Sequence, residues 1–285
     1  MNTINAIIVN YRSPDLTLNC VNSILKHNIT KAHNIIVVEN GSGDNSEQQL
    51  RKTLPADVQL VVTKNNGGFS AGINLGARQA SQDYLLVLNP DTYFLDNPFL
   101  KVLDIFQNKP KVGLIGLDLI YPTLQRQYSA RKFYCLLDII ARRSILGKIW
   151  PLNTWVKQHL MFKEWESAAP FYADWVMGTG FIVRRSVFER IGRMDEAFFL
   201  YMEDVDLCAR IWKAGYKVMC IPQANLVHDH QRSSNQSLFN KFRMMHLKSL
   251  MIFMNKYHLP IFKQPGVLGI FKHSDVPPQA ISKLQ

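Results

Sequence analysis

Short apolar runs recur along the first 120 residues, separated by stretches of helical character. Residues 5–10, 34–39, 58–62, 84–88 and 112–119 are β-branched or leucine-rich and predict five strands. Between the first two runs, Ser13 as N-cap and Pro14 in the first turn open a helix. Its apolar face is Leu18, Val21, Ile24 and Leu25. Between the third and fourth runs, residues 70–80 are small and alanine-rich and predict another helix. Strands apolar on both faces, separated by helices, predict an α/β fold with a mainly parallel sheet covered on both sides. In such sheets, ligands bind at the carboxyl ends of the strands. Beyond Ile120 the rhythm changes. Residues 121–169 are basic and aromatic, 175–184 predict a strand, 203–214 a helix, and 237–257 a second, longer helix. No internal repeat or low-complexity segment interrupts the pattern. The chain divides into 1–120, 121–235 and 236–285 within one continuous domain.

Composition narrows the class. The 285 residues are 47% hydrophobic and 19% charged, as in a globular chain long enough to bury a core. The cysteines, Cys20, Cys135, Cys208 and Cys220, form no C-x-x-C pair. They read as reduced thiols of a cytoplasmic protein, with Cys208 a core residue of its helix. Residues 1–5 lack a charged leader, and no run reaches the roughly 18 apolar residues that span a bilayer, so neither a signal peptide nor a spanning helix is expected. The sequons at Asn28 and Asn235 then carry little weight. The net charge of +11 points to an anionic partner (nucleic acid, phospholipid or a phosphate-bearing substrate) or to a solvated basic face.

Polar residues cluster where the predicted strands end. The first strand ends in Asn10-Tyr11 and the second in Glu39-Asn40-Gly41-Ser42. The third runs into Asn65-Asn66-Gly67-Gly68-Phe69-Ser70-Ala71-Gly72-Ile73-Asn74, and the fourth ends in Asn89-Pro90-Asp91-Thr92. Singly, Asn40-Gly41 is an ordinary turn and Gly67-Gly68 an ordinary strand-to-helix link. No P-loop and no G-x-G-x-x-G is present. Convergence on one sheet edge is what makes the four segments a candidate site. Asp91, behind a stiffening Pro90, is placed to bind a hard cation shared with a substrate diphosphate. Glu203-Asp204 opens a helix, either to complement its dipole or to supply a general base. His228 and His230 alternate, so a strand would put both on one face; His228 is either structural or a ligand of the same metal.

Together these motifs resemble glycosyltransferase family 2, in particular its rhamnosyltransferase-like members. The resemblance covers roughly residues 4–257. It rests on Ile8-Val9-Asn10-Tyr11, Val38-Glu39-Asn40, the segment from Asn65 to Asn74, and Leu88-Asn89-Pro90-Asp91-Thr92. It continues in Gly178-Thr179-Gly180, Met194-Asp195-Glu196-Ala197-Phe198-Phe199-Leu200-Tyr201, Glu203-Asp204-Val205-Asp206-Leu207 and His228. The resemblance implies a GT-A fold, a divalent cation (Mg2+ or Mn2+) and an inverting single displacement. It implies a nucleotide-sugar half at 1–120 and an acceptor half at 121–235. Asn10 and Tyr11 would border the base, and Glu39, where the family usually has Asp, would contact its imide edge. Asn66, Gly67, Gly68, Phe69, Gly72 and Asn74 would line the ribose and diphosphate. Asp91 corresponds to the last acid of the family's D-x-D element, with Asn89 in place of the first. Asp204 matches the family's base, with Glu203 as the second candidate. The expected donor is dTDP-L-rhamnose, and the expected acceptor is a lipid-linked or growing surface polysaccharide.

Two other classes compete. A basic nucleic-acid-binding protein would explain the charge but not Asp91 or Glu203-Asp204, and no nucleic-acid motif is present. A nucleotidyltransferase would carry a glycine-rich basic loop after the first strand, where Asn10-Tyr11-Arg12-Ser13-Pro14 stands. Two segments suit peripheral attachment to the inner face of the cytoplasmic membrane: residues 126–163, with interleaved Trp and Tyr, and the long helix with Lys241, Arg243, Lys248 and Lys256. The alternative is that the helix packs on the core with its charges solvated.

Overall fold

A computed structural model describes residues 4–143, 152–229 and 236–271. Its first half follows the alternating pattern. β1 (Ile4–Asn10) leads into α1 (Pro14–Lys26), β2 (Ile35–Asn40) into α2 (Ser46–Thr53), and β3 (Gln59–Thr63) into α3 (Gly68–Gln79). β4 (Tyr84–Leu88) leads into the short β5 (Thr92–Tyr93), then α4 (Phe99–Asn108) and β6 (Val112–Ile120). The middle holds β7 (Ala130–Arg131), α5 (Leu136–Arg143), α6 (Leu152–His159), α7 (Phe162–Glu166), β8 (Phe171–Tyr172) and β9 (Trp175–Val176). The remainder is β10 (Gly180–Arg184), α8 (Arg185–Arg190), α9 (Glu203–Lys213), β11 (Lys217–His228), α10 (Gln236–Lys256) and the single turn α11 (Gly266–Gly269).

Among the described residues one sheet runs β3-β2-β1-β4-β10-β6-β11-β5, with β8 beside β11, and β7 pairs β9 separately. β1 to β4 are mutually parallel, so their carboxyl ends lie on one edge. β1 alternates: Ile7 and Val9 enter one core while Ala6 and Ile8 enter the other. This explains why the run is apolar throughout. Each such fully buried aliphatic side chain contributes roughly 1.5–3 kcal/mol. The fifth apolar run does not extend the parallel block directly. β10 inserts between β4 and β6, antiparallel to both. The predicted strand at 175–184 is two short strands separated by a turn at 177–179, and that turn reaches the site. Ser13 occupies the N-cap position, but its hydroxyl faces the Tyr11 carbonyl rather than capping a helix N–H.

β11 carries the Pro222 turn as a bulge. The register shifts between Ile221 and Asn225, Gln223 has φ +66°, and its N–H donates to Asp118 Oδ2. The strand then resumes and delivers His228 to the sheet edge.

The basic, aromatic middle is committed inward. Phe133, Trp165 and Trp175 are buried, Tyr128 stacks on Phe162, and Arg126 pairs with Asp118. Phe133, Trp165 and Trp175 thus belong to the second-half core, while Trp155 is half-buried and Trp150 lies outside the described residues. The long helix α10 is fastened to α9 through buried Asp206, which accepts from Arg210, Lys256 and Tyr257. Burial and the Asp206 carboxylate push the Tyr257 hydroxyl far above its ordinary range. Among the described residues no helix is long and apolar enough to cross a membrane.

Gly68 opens α3 at φ +87°, and a Cβ there would lie 2.4 Å from the Phe199 carbonyl oxygen. Gly43 has a similar φ of +68° but open space around it. Replacing Gly43 with Ala should therefore cost about 1 kcal/mol in backbone strain. Replacing Gly68 should cost about 3 kcal/mol or more, because backbone must also move. Denaturant unfolding of the two variants checks this difference, and equal losses would contradict it.

Candidate active site

The antiparallel pairing of β5 with the end of β11 sets Thr92 opposite His228 and brings Asp91 beside the imidazole. Asp229 N–H donates to the Asp91 carbonyl at 2.9 Å and locks the approach. His228 Nε2 then lies 3.3 Å from Asp91 Oδ2. The other side of the ring is fixed by Gln127. Its Nε2 donates to the His228 carbonyl at 2.8 Å, and its Oε1 faces His228 Nδ1 at 2.7 Å. A carbonyl oxygen only accepts, so Nδ1 carries a proton and, in the neutral ring, Nε2 presents its lone pair to Asp91. Two electron pairs facing each other at this distance repel unless a cation or a second ring proton intervenes. Asp91 Oδ1 is buried without a hydrogen-bond partner. Both features fit a divalent cation. Among the described residues no cluster of three or more His, Cys, Asp or Glu could hold a metal. Among the described residues a cation here would take these two ligands, with substrate oxygens and water available for the rest.

Across the cleft, two consecutive left-handed residues, Tyr201 (φ +72°) and Met202 (φ +66°), turn the chain into α9. They present Glu203 and Asp204 at its first turn. Such backbone is costly for non-glycine residues and persists only where surrounding structure holds it. Asp204 Oδ2 accepts from the Gly178 N–H at 2.8 Å, and Oδ1 from the Val205 N–H at 2.9 Å. Burial pushes the Asp204 carboxyl up, while these hydrogen bonds and the charge of Arg131 hold it back. Glu203 is buried, its Oε2 has no partner, and burial together with the Asp204 charge pushes its carboxyl well above the usual range. One carboxyl is thus biased towards the protonated form, while its neighbour is better equipped to hold a charge.

The two groups face one divided cleft. A hollow of about 530 Å³ includes Tyr11, Arg12, Asn40, Asn66 and Phe199 in its lining. A second, of about 380 Å³, includes Arg131, Tyr134, Trp175, Glu203, Asp204 and His228. Asn89 and Asp91 line both, so Asp91 stands at the junction. Both volumes suit small-ligand pockets. Gly68 and Phe69 line the cleft and Gly67 precedes them, but the N–H groups of all three already have partners. They donate to Asn40 Oδ1, Asn66 Oδ1 and the Phe199 carbonyl. The helix N-terminus therefore shapes the wall and does not offer these amides to a phosphate.

Four expected contacts are placed differently. Asn10 and Glu39 are buried and bond to each other. Asn10 also accepts from Thr17, and Glu39 from the Ser42 N–H. They brace the loop beneath the first hollow rather than lining it. Gly72 faces β1, where an added Cβ would lie 2.8 Å from Val9 Cγ1, so it serves close helix–sheet packing. Asn74 exchanges hydrogen bonds with the Met194 backbone and donates to Glu196, away from both hollows. His230 lies outside the described residues. Gln127 and Arg131 belong to the site without a motif to mark them. Arg131 stands in the basic, aromatic stretch 126–163, whose composition suits membrane attachment.

Comparison with known proteins matches this arrangement to a family. The model for "Glycosyl transferase family 2" matches residues 6–192. The N-acetylglucosaminyl-diphospho-decaprenol L-rhamnosyltransferase of Mycobacterium tuberculosis is 28% identical over 242 residues, 81% of this chain and 77% of that protein. Rhamnosyltransferase WbbL of Escherichia coli K12 is 30% identical over 188 residues, 65% of this chain and 66% of that protein. The dTDP-rhamnosyl transferase RfbF of Shigella flexneri is 25% identical over 228 residues, 79% of this chain and 68% of that protein. In fold the chain is similar to GalNAc-T7, solved with UDP, GalNAc and Mn2+. The TM-score is 0.65 at 15% identity, covering 90% of this chain and about half (48%) of that one.

The raised Glu203 carboxyl has a stability consequence. The folded chain holds this proton to higher pH than the unfolded chain, so wild-type stability falls as pH rises above 4.5 towards the folded midpoint. The slope from this group is at most about 1.4 kcal/mol per pH unit. Glu203→Gln is neutral throughout and escapes the loss. The variant should exceed wild type in unfolding free energy near neutral pH, and the gap should close in acid. Denaturant titrations across pH check this; a gap independent of pH would contradict it.

Proposed function

The chain belongs to glycosyl transferase family 2, and we propose that it moves L-rhamnose from dTDP-L-rhamnose, with inversion, to a glycan acceptor carried on a lipid diphosphate. That it is a glycosyltransferase with the GT-A fold follows from the family match and the shared architecture. Neither nucleotidyl transfer nor nucleic-acid binding as a primary role is favoured beside that membership. The sugar and the acceptor class rest on the relatives, two named as rhamnosyltransferases and one as a dTDP-rhamnosyl transferase. One observation carries the chemistry: a cation-seeking pair, Asp91 and His228, opposes a carboxylate pair, Glu203 and Asp204, within one cleft divided at Asp91.

In this reading the nucleotide occupies the hollow beside Tyr11, Asn40 and Asn66, and its diphosphate reaches Asp91 at the junction. Asp91 and His228 would hold Mg2+ or Mn2+, which would supply positive charge against the leaving diphosphate. Gln127 keeps the His228 lone pair directed to that point. The acceptor sugar enters the second hollow, beside Tyr134, Trp175 and Tyr201. Asp204 takes the proton of the attacking hydroxyl as its oxygen bonds to the anomeric carbon and the bond to the diphosphate breaks. Glu203, protonated, donates a hydrogen bond that orients the acceptor without competing for the proton. Arg131 favours the ionised form of Asp204.

Asp204→Asn retains the shape and removes the proton acceptor. Its kcat should fall by roughly 10²–10⁴, typical of a lost general base, while the donor KM stays near wild type. Asp91→Asn should abolish the divalent-ion-dependent part of thermal stabilisation by dTDP, leaving the unliganded melting temperature nearly unchanged. Steady-state assays following dTDP release, with thermal shifts, check both. Wild-type turnover in Asp204→Asn would reassign the base, and undiminished ion-dependent stabilisation in Asp91→Asn would remove the metal from that site.

A further inference from the structure

We infer that the outward face of α10 is a docking surface for an anionic lipid bilayer, which holds the cleft beside the membrane; this builds on the proposed lipid-carried acceptor. Among the described residues, the inward face of α10 is engaged with the rest of the fold. Phe253 is in the core, Ser249 donates to the Leu200 carbonyl, and Lys256 reaches Asp195 and Asp206. Met245 and His246 line the cleft. On the opposite side, Met244 is 66% exposed, Leu247 49%, Met251 52% and Met254 41%. Their spacing of three, four and three residues makes one continuous stripe along the helix. A surface helix normally shows polar residues there, so an apolar outward stripe on an anchored helix marks an interaction face.

Charge identifies the occupant. From Gln236 to Phe271 the sequence has no Asp or Glu, while it carries Lys241, Arg243, Lys248, Lys256 and Lys263. Arg243 and Lys248 are exposed and fall on either side of the stripe by helical rotation. The chain beyond the helix exposes Ile261 and Phe262, followed by exposed Lys263. An apolar centre flanked by cations, with no acid, complements the acyl boundary and anionic headgroups of a bilayer. A polyanion without an apolar phase would leave the methionines in water. The same helix thus carries cleft-lining residues on one face and the stripe on another, so docking sets the distance between catalytic groups and the membrane plane.

The test uses the full chain. Wild type should sediment with vesicles of equal parts phosphatidylglycerol and phosphatidylcholine, less with phosphatidylcholine alone, and less as salt rises. The triple variant M244Q/L247Q/M251Q changes only exposed positions outside the cleft. Its partitioning should fall about tenfold or more. Its circular dichroism and its turnover on a water-soluble acceptor should match wild type, whereas turnover on a vesicle-borne acceptor should fall. Wild type remaining in the supernatant at low salt would overturn the inference, as would unchanged partitioning of the variant. A wild-type dimer in light scattering that the variant lacks would also overturn it, assigning the stripe to a second copy of the chain. Failure of the soluble-acceptor assay in wild type would count against the rhamnosyl-transfer reading, independently of vesicle binding.

Discussion

The structure turns on one juxtaposition: His228 Nε2 and an Asp91 carboxylate oxygen set 3.3 Å apart, with the far ring nitrogen fixed from behind by Gln127. Much of the second half of the fold is needed to hold it. β11 must pass its bulge at Gln223 and regain register with β6, so that His228 meets β5. Gln127 must lie where its amide reaches both the His228 carbonyl and the ring. It does so because the chain after β6 folds back, with Gln127 N–H donating to the Leu119 carbonyl. Removing either brace would let the imidazole rotate, and the arrangement would lose its preference for a cation.

The opposing wall is built on a related principle, the burial of more charge than the protein itself satisfies. Glu203 and Asp204 adjoin at a helix start reached through two left-handed residues. Shared burial separates their behaviour: Asp204 is given two backbone N–H donors and a nearby Arg131, and the Oε2 of Glu203 is given none. Two carboxyls of similar intrinsic acidity are thereby biased apart, Glu203 towards keeping a proton and Asp204 towards carrying a charge. The cleft between the walls remains accessible to substrate because the loop carrying Phe199 and Leu200 is held by α3 on one side and α10 on the other.

Much of this was legible in the sequence. The five apolar runs are strands, the carboxyl ends of β1 to β4 share an edge, and Asp91, Glu203, Asp204 and His228 converge. Asp91 and His228 were visible because they follow or end apolar strands at that edge, and Glu203 and Asp204 because adjacent acids open a helix. What stayed hidden depends on long-range pairing. Hydrophobic alternation does not encode strand direction, so the antiparallel entry of β10 could not be seen. Asn10 and Glu39 looked like ligand contacts, yet they satisfy each other across 29 residues of chain. Asn74 finds its partners 120 and 122 residues away. Gln127 and Arg131 stood in a stretch whose composition spoke only of charge and aromatics, and those rings became core.

In the proposed function Asp91 and the Nε2 of His228 together ligate a divalent ion when nucleotide is bound. Pulsed electron paramagnetic resonance of Mn2+ with dTDP, on protein carrying 15N-labelled histidine, tests it directly. A directly bonded imidazole should give a strong 15N modulation that disappears in His228→Gln. Tightly bound Mn2+ with no histidine nitrogen coupling, or coupling that persists in His228→Gln, would contradict it.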